Sequence, residues 1–211
     1  MQEIRIDQSV FESDEHWAKR TRALAVERGW IMLHMIGSPG SGKTTLLEQV
    51  LPRLKRPSAV ITGDVEGEYD ALRLCKAGIN AVQLNTHGAC HLSADLLYPI
   101  LEGLKAPSGS LIFIENIGNL ICPAGFPLGE NQTIAILCAT EGAEKPIKYP
   151  RLFKKADCVL ITKSALGALC YFDMAQAREN IHTQRPQADI FEISALEGIG
   201  LDAFAQYLDQ L

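Results

Sequence analysis

The segment from Gly37 to Thr44 carries residue types and a spacing that suit phosphate binding. It reads GSPGSGKT and matches the pattern G-x-x-x-x-G-K-S/T. Glycines in such a loop let backbone N–H groups converge on phosphate oxygens, and the N-terminus of the following helix adds a partial positive charge. Lys43 is placed to reach the β- and γ-phosphates, and the Thr44 hydroxyl is placed to bind Mg²⁺. The predicted nucleotide-binding residues of this loop are Gly37, Ser38, Pro39, Gly40, Ser41, Gly42, Lys43, Thr44 and Thr45.

Two acidic residues further along the chain follow strand-like segments. Asp64 follows the run Ala-Val-Ile-Thr, and Glu115 follows Leu-Ile-Phe-Ile. A carboxylate at a strand end beside a phosphate loop holds Mg²⁺, directly or through water, or positions an attacking water. We predict Lys43, Asp64 and Glu115 as catalytic residues, and Thr44, Asp64 and Glu115 as Mg²⁺ ligands. Exposed turn carboxylates are the alternative. Gly118, in the sequence Glu-Asn-Ile-Gly, is predicted to offer its N–H to the γ-phosphate.

The segment that selects the base in GTPases is only partly present. The motif N-K-x-D is replaced by Thr162-Lys163-Ser164-Ala165. Lys163 can still cover the base, but Ala165 offers no acceptor to the guanine N1 and N2 groups, a loss of about 1–3 kcal/mol. Ser194 and Ala195 resemble the S-A-x element near the base and are predicted, with Lys163, to line its pocket. The sequence therefore leaves the choice between GTP and ATP open.

Cys90, His91 and Cys122 form a second group, in two segments predicted to be loops after strands. Thiolates and imidazoles suit zinc, nickel or copper. Two adjacent ligands and one distant cysteine do not complete a tetrahedral site, so either a fourth ligand comes from this chain, with His87 a candidate, or two subunits share the metal. The alternative is that Cys90 and Cys122 are small buried apolar residues. The other cysteines are predicted to pack in the core, namely Cys75, Cys138, Cys158 and Cys170.

Apolar runs alternate with helical patterns, and these elements must position the groups described above. The predicted strands are Ile31–Ile36, Ser58–Thr62, Ala81–Leu84, Leu111–Ile114, Ile134–Ala139, Cys158–Thr162 and Asp189–Ile193. The predicted helices are Ser13–Arg28, Thr45–Leu54, Tyr69–Ala77, Leu92–Leu104, Phe172–His182 and Leu201–Leu211. This alternation implies an α/β fold, with a mostly parallel sheet covered by helices on both faces. The candidate residues should converge at the carboxyl edge of that sheet, where ligands bind.

Composition narrows the class of protein further. The chain has 211 residues, 47% of them hydrophobic, with a formal net charge of −5. We expect one domain over residues 1–211, with a helical segment at 1–29 packed on it. The absence of a basic cluster argues against a nucleic-acid partner, and no apolar run is long enough to span a membrane. A polar N-terminus and cysteines without a C-x-x-C pattern favour the reducing cytoplasm.

Several segments together resemble the HypB family, the nickel-inserting GTPases of NiFe-hydrogenase maturation. The resemblance begins near residue 15 and rests on GSPGSGKTTLLE, GDVEGEYDA, NTHGACHLSADL, LIFIENIGNLICPA, TEGAEKPIKYP and SALEGIGLDAF. It implies a SIMIBI-like P-loop NTPase fold that binds GTP and Mg²⁺. It further implies that Cys90, His91 and Cys122 hold nickel or zinc in a homodimer that depends on metal and nucleotide. The implied partners are a metallochaperone and the hydrogenase large subunit.

Three departures from the family pattern surround the nucleotide. Gly67 stands where the family has Thr or Ser, Ser93 stands where it has Asp, and Thr162–Ala165 replaces N-K-x-D. These changes indicate a divergent member with altered nucleotide preference or slow turnover. The leading interpretation is a metallochaperone that hydrolyses GTP to drive metal delivery. A P-loop kinase or ATPase with structural cysteines is one alternative, and a nucleotide-binding interaction module that barely hydrolyses is another.

Overall fold

A parallel β-sheet forms the centre of the protein. The computed structural model describes residues 6–86 and 88–211, with side chains from residue 14 onward, so His87 lies outside the described residues. The seven strands are β1 (Ile31–Gly37), β2 (Ser58–Asp64), β3 (Ala81–Asn85), β4 (Leu111–Glu115), β5 (Gln132–Cys138), β6 (Cys158–Thr162) and β7 (Asp189–Ile193). They pair in the order β3-β2-β4-β1-β5-β6-β7, each parallel to its neighbours. The predicted α/β fold is confirmed.

Helices cover both faces of this sheet. They are α1 (Ile6–Arg28), α2 (Lys43–Val50), α3 (Tyr69–Lys76), α4 (Ala94–Gly103), α5 (Cys122–Gly125), α6 (Lys145–Lys148), α7 (Pro150–Lys155), α8 (Met174–Gln184) and α9 (Leu201–Asp209). Leu33 and Met35 of β1 pack with α2 and α9 on one face. Met32, on the other face, packs with α1 and α4, and α7 and α8 cover the neighbouring part of that face. This alternation is what successive side chains of a buried strand produce.

The predicted element bounds differ from the structure mainly at helix ends and short helices. The strand predictions agree to within two residues at each end. Helix α2 begins at Lys43 rather than Thr45 and ends at Val50, where a 3₁₀ turn over Leu51–Arg53 follows. The sequence analysis missed α5, α6 and α7, which have only four to six residues each. Such short helices carry too few turns for a periodic apolar pattern. Cys122 therefore begins a helix instead of lying in a loop.

The N-terminal helix packs against α4 through aromatic and cationic side chains. The ring of Trp17 lies 5.5 Å from that of Tyr98, and the Arg20 guanidinium lies 4.3 Å from both ring centroids. The Thr21 hydroxyl donates to the backbone carbonyl of Leu128. Within the described residues, no helix combines the length and apolar content needed to cross a bilayer.

The prediction that four cysteines pack in the core is half wrong. Cys138 and Cys158 are buried, but Cys75 and Cys170 are exposed. Cys75 follows the buried Leu74 on α3, and a helical turn of about 100° per residue carries it away from the core. Apolar neighbours in the sequence therefore did not identify the face on which each thiol lies.

A buried polar network runs from β1 to the start of β5. The imidazole of His34 is fully buried, and its Nδ1 lies 3.4 Å from Oε1 of Glu130. Glu130 also pairs with Lys155 at 2.5 Å and accepts from the Leu128 N–H at 2.8 Å. Burial opposes ionisation of this carboxyl, but hydrogen bonding to His34 and the charge of Lys155 prevail and hold the pKa of Glu130 well below its ordinary value. The network thus places a satisfied carboxylate inside the fold.

We expect Glu130→Gln to lower the free energy of unfolding by about 1–3 kcal/mol at pH 7, because the buried partners lose a charged acceptor. A depressed pKa stabilises the fold above the ordinary Glu pKa and loses that effect as pH falls. The deficit should therefore shrink below about pH 4.5. Urea unfolding at several pH values measures it. Glu144→Gln is the control, since it removes only an exposed pair with Lys148, worth about 0.5 kcal/mol. Equal losses in the two variants would contradict the prediction.

Candidate nucleotide and metal sites

The phosphate loop connects the end of β1 to the start of α2. Gly42 caps α2 with φ at +91°, a left-handed conformation that favours glycine and lets the loop turn directly into the helix. The Lys43 ammonium donates to the carbonyls of Ser38, at 3.1 Å, and Gly37, at 3.4 Å. Burial lowers the pKa of Lys43, and the nearby carboxylate of Glu115 opposes that shift. The lysine thus lies over the concave side of the loop.

Two predicted Mg²⁺ ligands, Thr44 and Glu115, are in contact at the carboxyl edge of the sheet. The Thr44 hydroxyl donates to Oε1 of Glu115 at 2.9 Å, while the second carboxyl oxygen is buried without a hydrogen-bond partner. Burial raises the pKa of Glu115 to about 7, although the charge of Lys43 acts in the opposite direction. Asp64 ends the neighbouring strand β2 and lines the same cavity. Hard oxygen donors with one unsatisfied carboxyl oxygen fit a divalent cation such as Mg²⁺.

The segment after β4 lies directly on the phosphate loop. A Cβ atom at Gly118 would lie 2.7 Å from Cα of Pro39, so only glycine permits this close approach. The backbone N–H of Asn119 donates to the Gly37 carbonyl at 3.1 Å. A change at the phosphates can therefore act on this segment through direct backbone contact.

The phosphate cavity also contains residues that sequence reasoning missed. It has a volume of about 420 Å³, and Arg73 of α3 lines it. The Arg73 guanidinium donates to Thr45 Oγ1 at 3.0 Å and to Glu48 Oε2 at 2.5 Å. No motif contains Arg73. Its position three residues after Asp70, which lines the same cavity, was the one available indication, since residues three apart share a helix face.

A second cavity, of about 280 Å³, adjoins the first and contains the predicted base-binding residues. Lys163, Ser194 and Ala195 line it, as does Ala165, whose methyl group has no acceptor. Lys163 lines both cavities and so joins the two. Thr162 and Glu197, from the same two segments, also contribute to this site. The Thr162 hydroxyl donates to the Ser41 carbonyl at 2.7 Å, and Glu197 brings a carboxylate to the cavity wall.

The predicted thiol and imidazole ligands meet although Cys90 and Cys122 are far apart in the chain. The Cys90 sulfur lies 3.7 Å from Nδ1 of His91, and a hydrogen bond with the Cys122 thiol raises the pKa of Cys90. The His91 ring stacks on Phe126 with centroids 4.1 Å apart. Burial lowers the pKa of His91 and favours the neutral imidazole that binds metals.

These three donors fit the chemistry of nickel or zinc but form an open set. Among the side chains described at 14–86 and 88–211, no three His, Cys, Asp or Glu residues are arranged to close around an ion. The assignment of Cys90, His91 and Cys122 as metal ligands, completed by a further ligand or a second subunit, therefore stays a prediction. The structure does not describe His87, the candidate for that ligand.

The fold and the phosphate loop define a P-loop nucleotide-binding protein. Residues 31–192 match the family model described as the CobW/HypB/UreG nucleotide-binding domain. More specifically, the chain belongs to the HypB family. It is 40% identical over 211 residues to the hydrogenase maturation factor HypB of Escherichia coli K12, covering 99% of this chain and 72% of that relative.

Solved structures of two relatives have the same fold. The structure of HypB from Helicobacter pylori in complex with nickel is 34% identical, with a TM-score of 0.89 and 94% of each chain covered. HypB from Archaeoglobus fulgidus is 31% identical, with a TM-score of 0.87, covering 94% of this chain and 98% of that one. The family and fold that the sequence resemblance implied are therefore confirmed.

We expect Glu115 to make the stability of the nucleotide-free protein fall as pH rises. A carboxyl whose pKa is raised from 4.5 to about 7 stays protonated in the fold while the unfolded chain ionises. Between these values stability should drop by about 2–3 kcal/mol. Glu115→Gln removes this slope, which urea unfolding at pH 5 and pH 7.5 measures. Glu144→Gln is the control, because hydrogen bonding to Lys148 lowers the pKa of that carboxyl instead. An unchanged slope in Glu115→Gln would contradict the assignment.

Proposed function

We propose that this chain is a nucleotide-dependent metallochaperone that hydrolyses GTP to drive nickel delivery during NiFe-hydrogenase maturation. The observation that carries the proposal is the short segment that connects the phosphate site to the thiol and imidazole group. Glu115, beside the phosphate loop, and Cys122, beside Cys90 and His91, are separated by six residues of one segment. The relatives named as hydrogenase maturation factors, and the H. pylori relative in complex with nickel, support this assignment. Zinc is the alternative metal.

The roles in hydrolysis follow from the side chains around the phosphate cavity. Lys43 contacts the β- and γ-phosphates, and the loop N–H groups bind the remaining phosphate oxygens. Thr44, Asp64 and Glu115 would hold Mg²⁺, which would neutralise charge on the phosphates. Asp64 or Glu115 orients the attacking water towards the γ-phosphate. Gly118 donates its N–H to the γ-phosphate, so that hydrolysis releases the segment after β4.

The metal is the cargo of this reaction, bound by Cys90, His91 and Cys122. Because one chain offers an open set of donors, we propose that two chains share the metal across a two-fold axis. GTP-dependent closure assembles this homodimer in the cytoplasm, and hydrolysis reopens it. A second metallochaperone and the hydrogenase large subunit are the proposed partners, with neither a nucleic acid nor a membrane involved.

A second candidate function rests on the base cavity. The absent acceptor at Ala165, together with Gly67 in the β2–α3 connection, favours a nucleotide-binding module that hydrolyses weakly. Metal-dependent dimerisation with multiple-turnover phosphate release supports the metallochaperone. Nucleotide binding without turnover supports the module, and turnover without metal binding supports a plain P-loop ATPase.

We expect Cys90→Ser and Cys122→Ser each to weaken nickel and zinc binding at least about tenfold, because a thiolate ligand is lost. Nucleotide affinity should stay close to that of the wild type, since neither cysteine lines the phosphate cavity. Competition with a chromophoric chelator measures the metal affinity, and Cys170→Ser, at another exposed thiol, is the control.

The wild-type protein should bind about one metal per two chains, with more dimer when metal and a GTP analogue are both present. Metal affinity should fall at lower pH, because protons compete for the thiolates. Sedimentation of titrated samples reads mass and stoichiometry together. A metal site that fills completely in a monomer, with no response to nucleotide, would refute the shared site.

Ala165→Asp combined with Thr162→Asn should raise the preference for GTP over ATP about tenfold or more, because the carboxylate accepts from guanine N1 and N2. Calorimetry with both nucleotides measures the ratio. Ala165→Asn with Thr162→Asn is the control, since a neutral amide of the same size accepts only once. If the wild type already prefers GTP strongly and the aspartate adds nothing, another group reads the base, and Glu197 is the carboxylate that lines this cavity.

A further inference from the structure

Two asparagine side chains hold the backbone on either side of His91. Oδ1 of Asn116 accepts from the backbone N–H of Leu92 at 3.0 Å. Nδ2 of Asn119 donates to the backbone carbonyl of Cys90 at 3.3 Å. The residues immediately before and after His91 are thus each tied to the segment between Glu115 and Cys122. We call Asn116 and Asn119 the asparagine clamp.

The same two residues are attached to the nucleotide side of the molecule. The backbone N–H of Asn119 donates to the carbonyl of Gly37, the first residue of the phosphate loop, at 3.1 Å. Asn116 directly follows Glu115, and its Nδ2 lies 2.7 Å from Nε2 of the buried His34. The clamp therefore has one end on the phosphate loop and β1 and the other end on the Cys90–Leu92 backbone.

The clamp also reaches the second cysteine. Oδ1 of Asn119 accepts from the backbone N–H of Ile121 at 2.9 Å, next to Cys122 at the start of α5. A single side chain thereby fixes the carbonyl of Cys90 and the backbone that leads into Cys122. Displacement of Asn119 relative to either neighbour changes the separation of the two thiols.

We propose that Asn116 and Asn119 are positioning residues that couple the state of the phosphate site to the geometry of Cys90, His91 and Cys122. The inference rests on the proposed function and assigns its coupling to particular hydrogen bonds. A nucleotide that shifts Gly118 against the phosphate loop also shifts Asn119, because the two residues are adjacent and the Asn119 N–H is bonded to Gly37 of that loop. The Cys90 carbonyl follows its donor, and the three metal-binding side chains rearrange together.

A competing connection runs through β2 instead. Thr86 follows β3, its N–H donates to the Asp64 carbonyl at 2.9 Å, and its hydroxyl donates to the Ala89 carbonyl at 2.9 Å. This route joins the second acidic residue of the phosphate cavity to the backbone just before Cys90. Removing the Asn119 side chain leaves it intact, so a variant at 119 separates the two routes.

Asn119 is the better position for a test than Asn116. Asn116 is buried, and its removal would leave the Leu92 N–H and Nε2 of His34 without their partner, which endangers the fold itself. Asn119 is half-buried, so water can replace it at the Cys90 carbonyl. The matched control is Asn80→Ala, which also removes a donor to a backbone carbonyl, that of Lys105 at 3.0 Å, on an exposed surface away from both cavities.

The test measures the alkylation rates of Cys90 and Cys122 by iodoacetamide in metal-free protein, with and without Mg²⁺ and a non-hydrolysable GTP analogue. Mass spectrometry resolves each thiol, so the readout does not depend on metal binding. In wild type and Asn80→Ala, the analogue should change both rates at least about fivefold, the lower end of typical allosteric coupling. In Asn119→Ala the rates should no longer respond to the analogue, although its affinity stays within about threefold of wild type.

A second variant separates the two hydrogen bonds of this side chain. Asn119→Asp keeps the acceptor for the Ile121 N–H but replaces the donor to Cys90 with a carboxylate oxygen. The coupling should be lost in this variant as well if the bond to Cys90 carries it. A nucleotide response that persists in Asn119→Ala would overturn the inference, as would a wild-type protein whose thiols do not respond to nucleotide.

Metal titration in the same samples keeps the two proposals distinguishable. Nickel or zinc affinity should respond to the analogue in wild type and Asn80→Ala but not in Asn119→Ala, and metal should affect analogue affinity by the same factor. If the wild-type protein binds no metal, the proposed function is contradicted. If its thiols still respond to nucleotide, and this response is lost in Asn119→Ala, the asparagine clamp is supported. Asn119→Ala could instead lower both the metal affinity and the nucleotide affinity, while the analogue still changes metal affinity by the same factor as in wild type. That result would assign Asn119 a merely structural role and overturn the clamp.

Discussion

The candidate nucleotide site is held together by the parallel pairing of β1 with β4. The register aligns Met35 with Glu115, so the phosphate loop and the segment after β4 leave the sheet at the same edge. That alignment lets the Thr44 hydroxyl reach Glu115 and lets Gly118 pack on Pro39. A shift of one residue would turn each side chain of β4 to the opposite face and separate these groups.

Two buried carboxyl groups, those of Glu130 and Glu115, differ in whether the fold supplies partners for both oxygens. Glu130, before β5 at the amino edge, has its charge met by His34 and Lys155, and its pKa is lowered. Glu115, at the carboxyl edge, keeps one oxygen without a partner, and burial raises its pKa. A shifted pKa beside a cavity is typical of functional sites. The Asn116–His34 contact connects Glu130 and His34 to the residue that directly follows Glu115.

Regular elements and local motifs were predictable because their information is contiguous in the chain. Buried strands such as Cys158–Thr162 have the apolar run that a parallel sheet requires, and the structure has the same bounds. The phosphate loop is a local sequence between one strand and one helix. Short helices such as α5 were not predictable, because neighbouring elements decide them rather than local periodicity.

Local sequence patterns identified the candidate functional groups and the strand ends at which they lie. Which of these groups touch depends on how the strands pair in the folded protein. Arg73 lines the phosphate cavity without belonging to any of the motifs, and the contact of the Thr162 hydroxyl with the Ser41 carbonyl appears only in the folded protein. Asn116 and Asn119 lie between Glu115 and Cys122 in the sequence, but their side chains form hydrogen bonds with backbone atoms of Leu92 and Cys90. Nearly every residue offers the same backbone donor and acceptor. Which of them an asparagine side chain meets therefore depends on where strand pairing places the two loops, and no residue pattern in the sequence shows this.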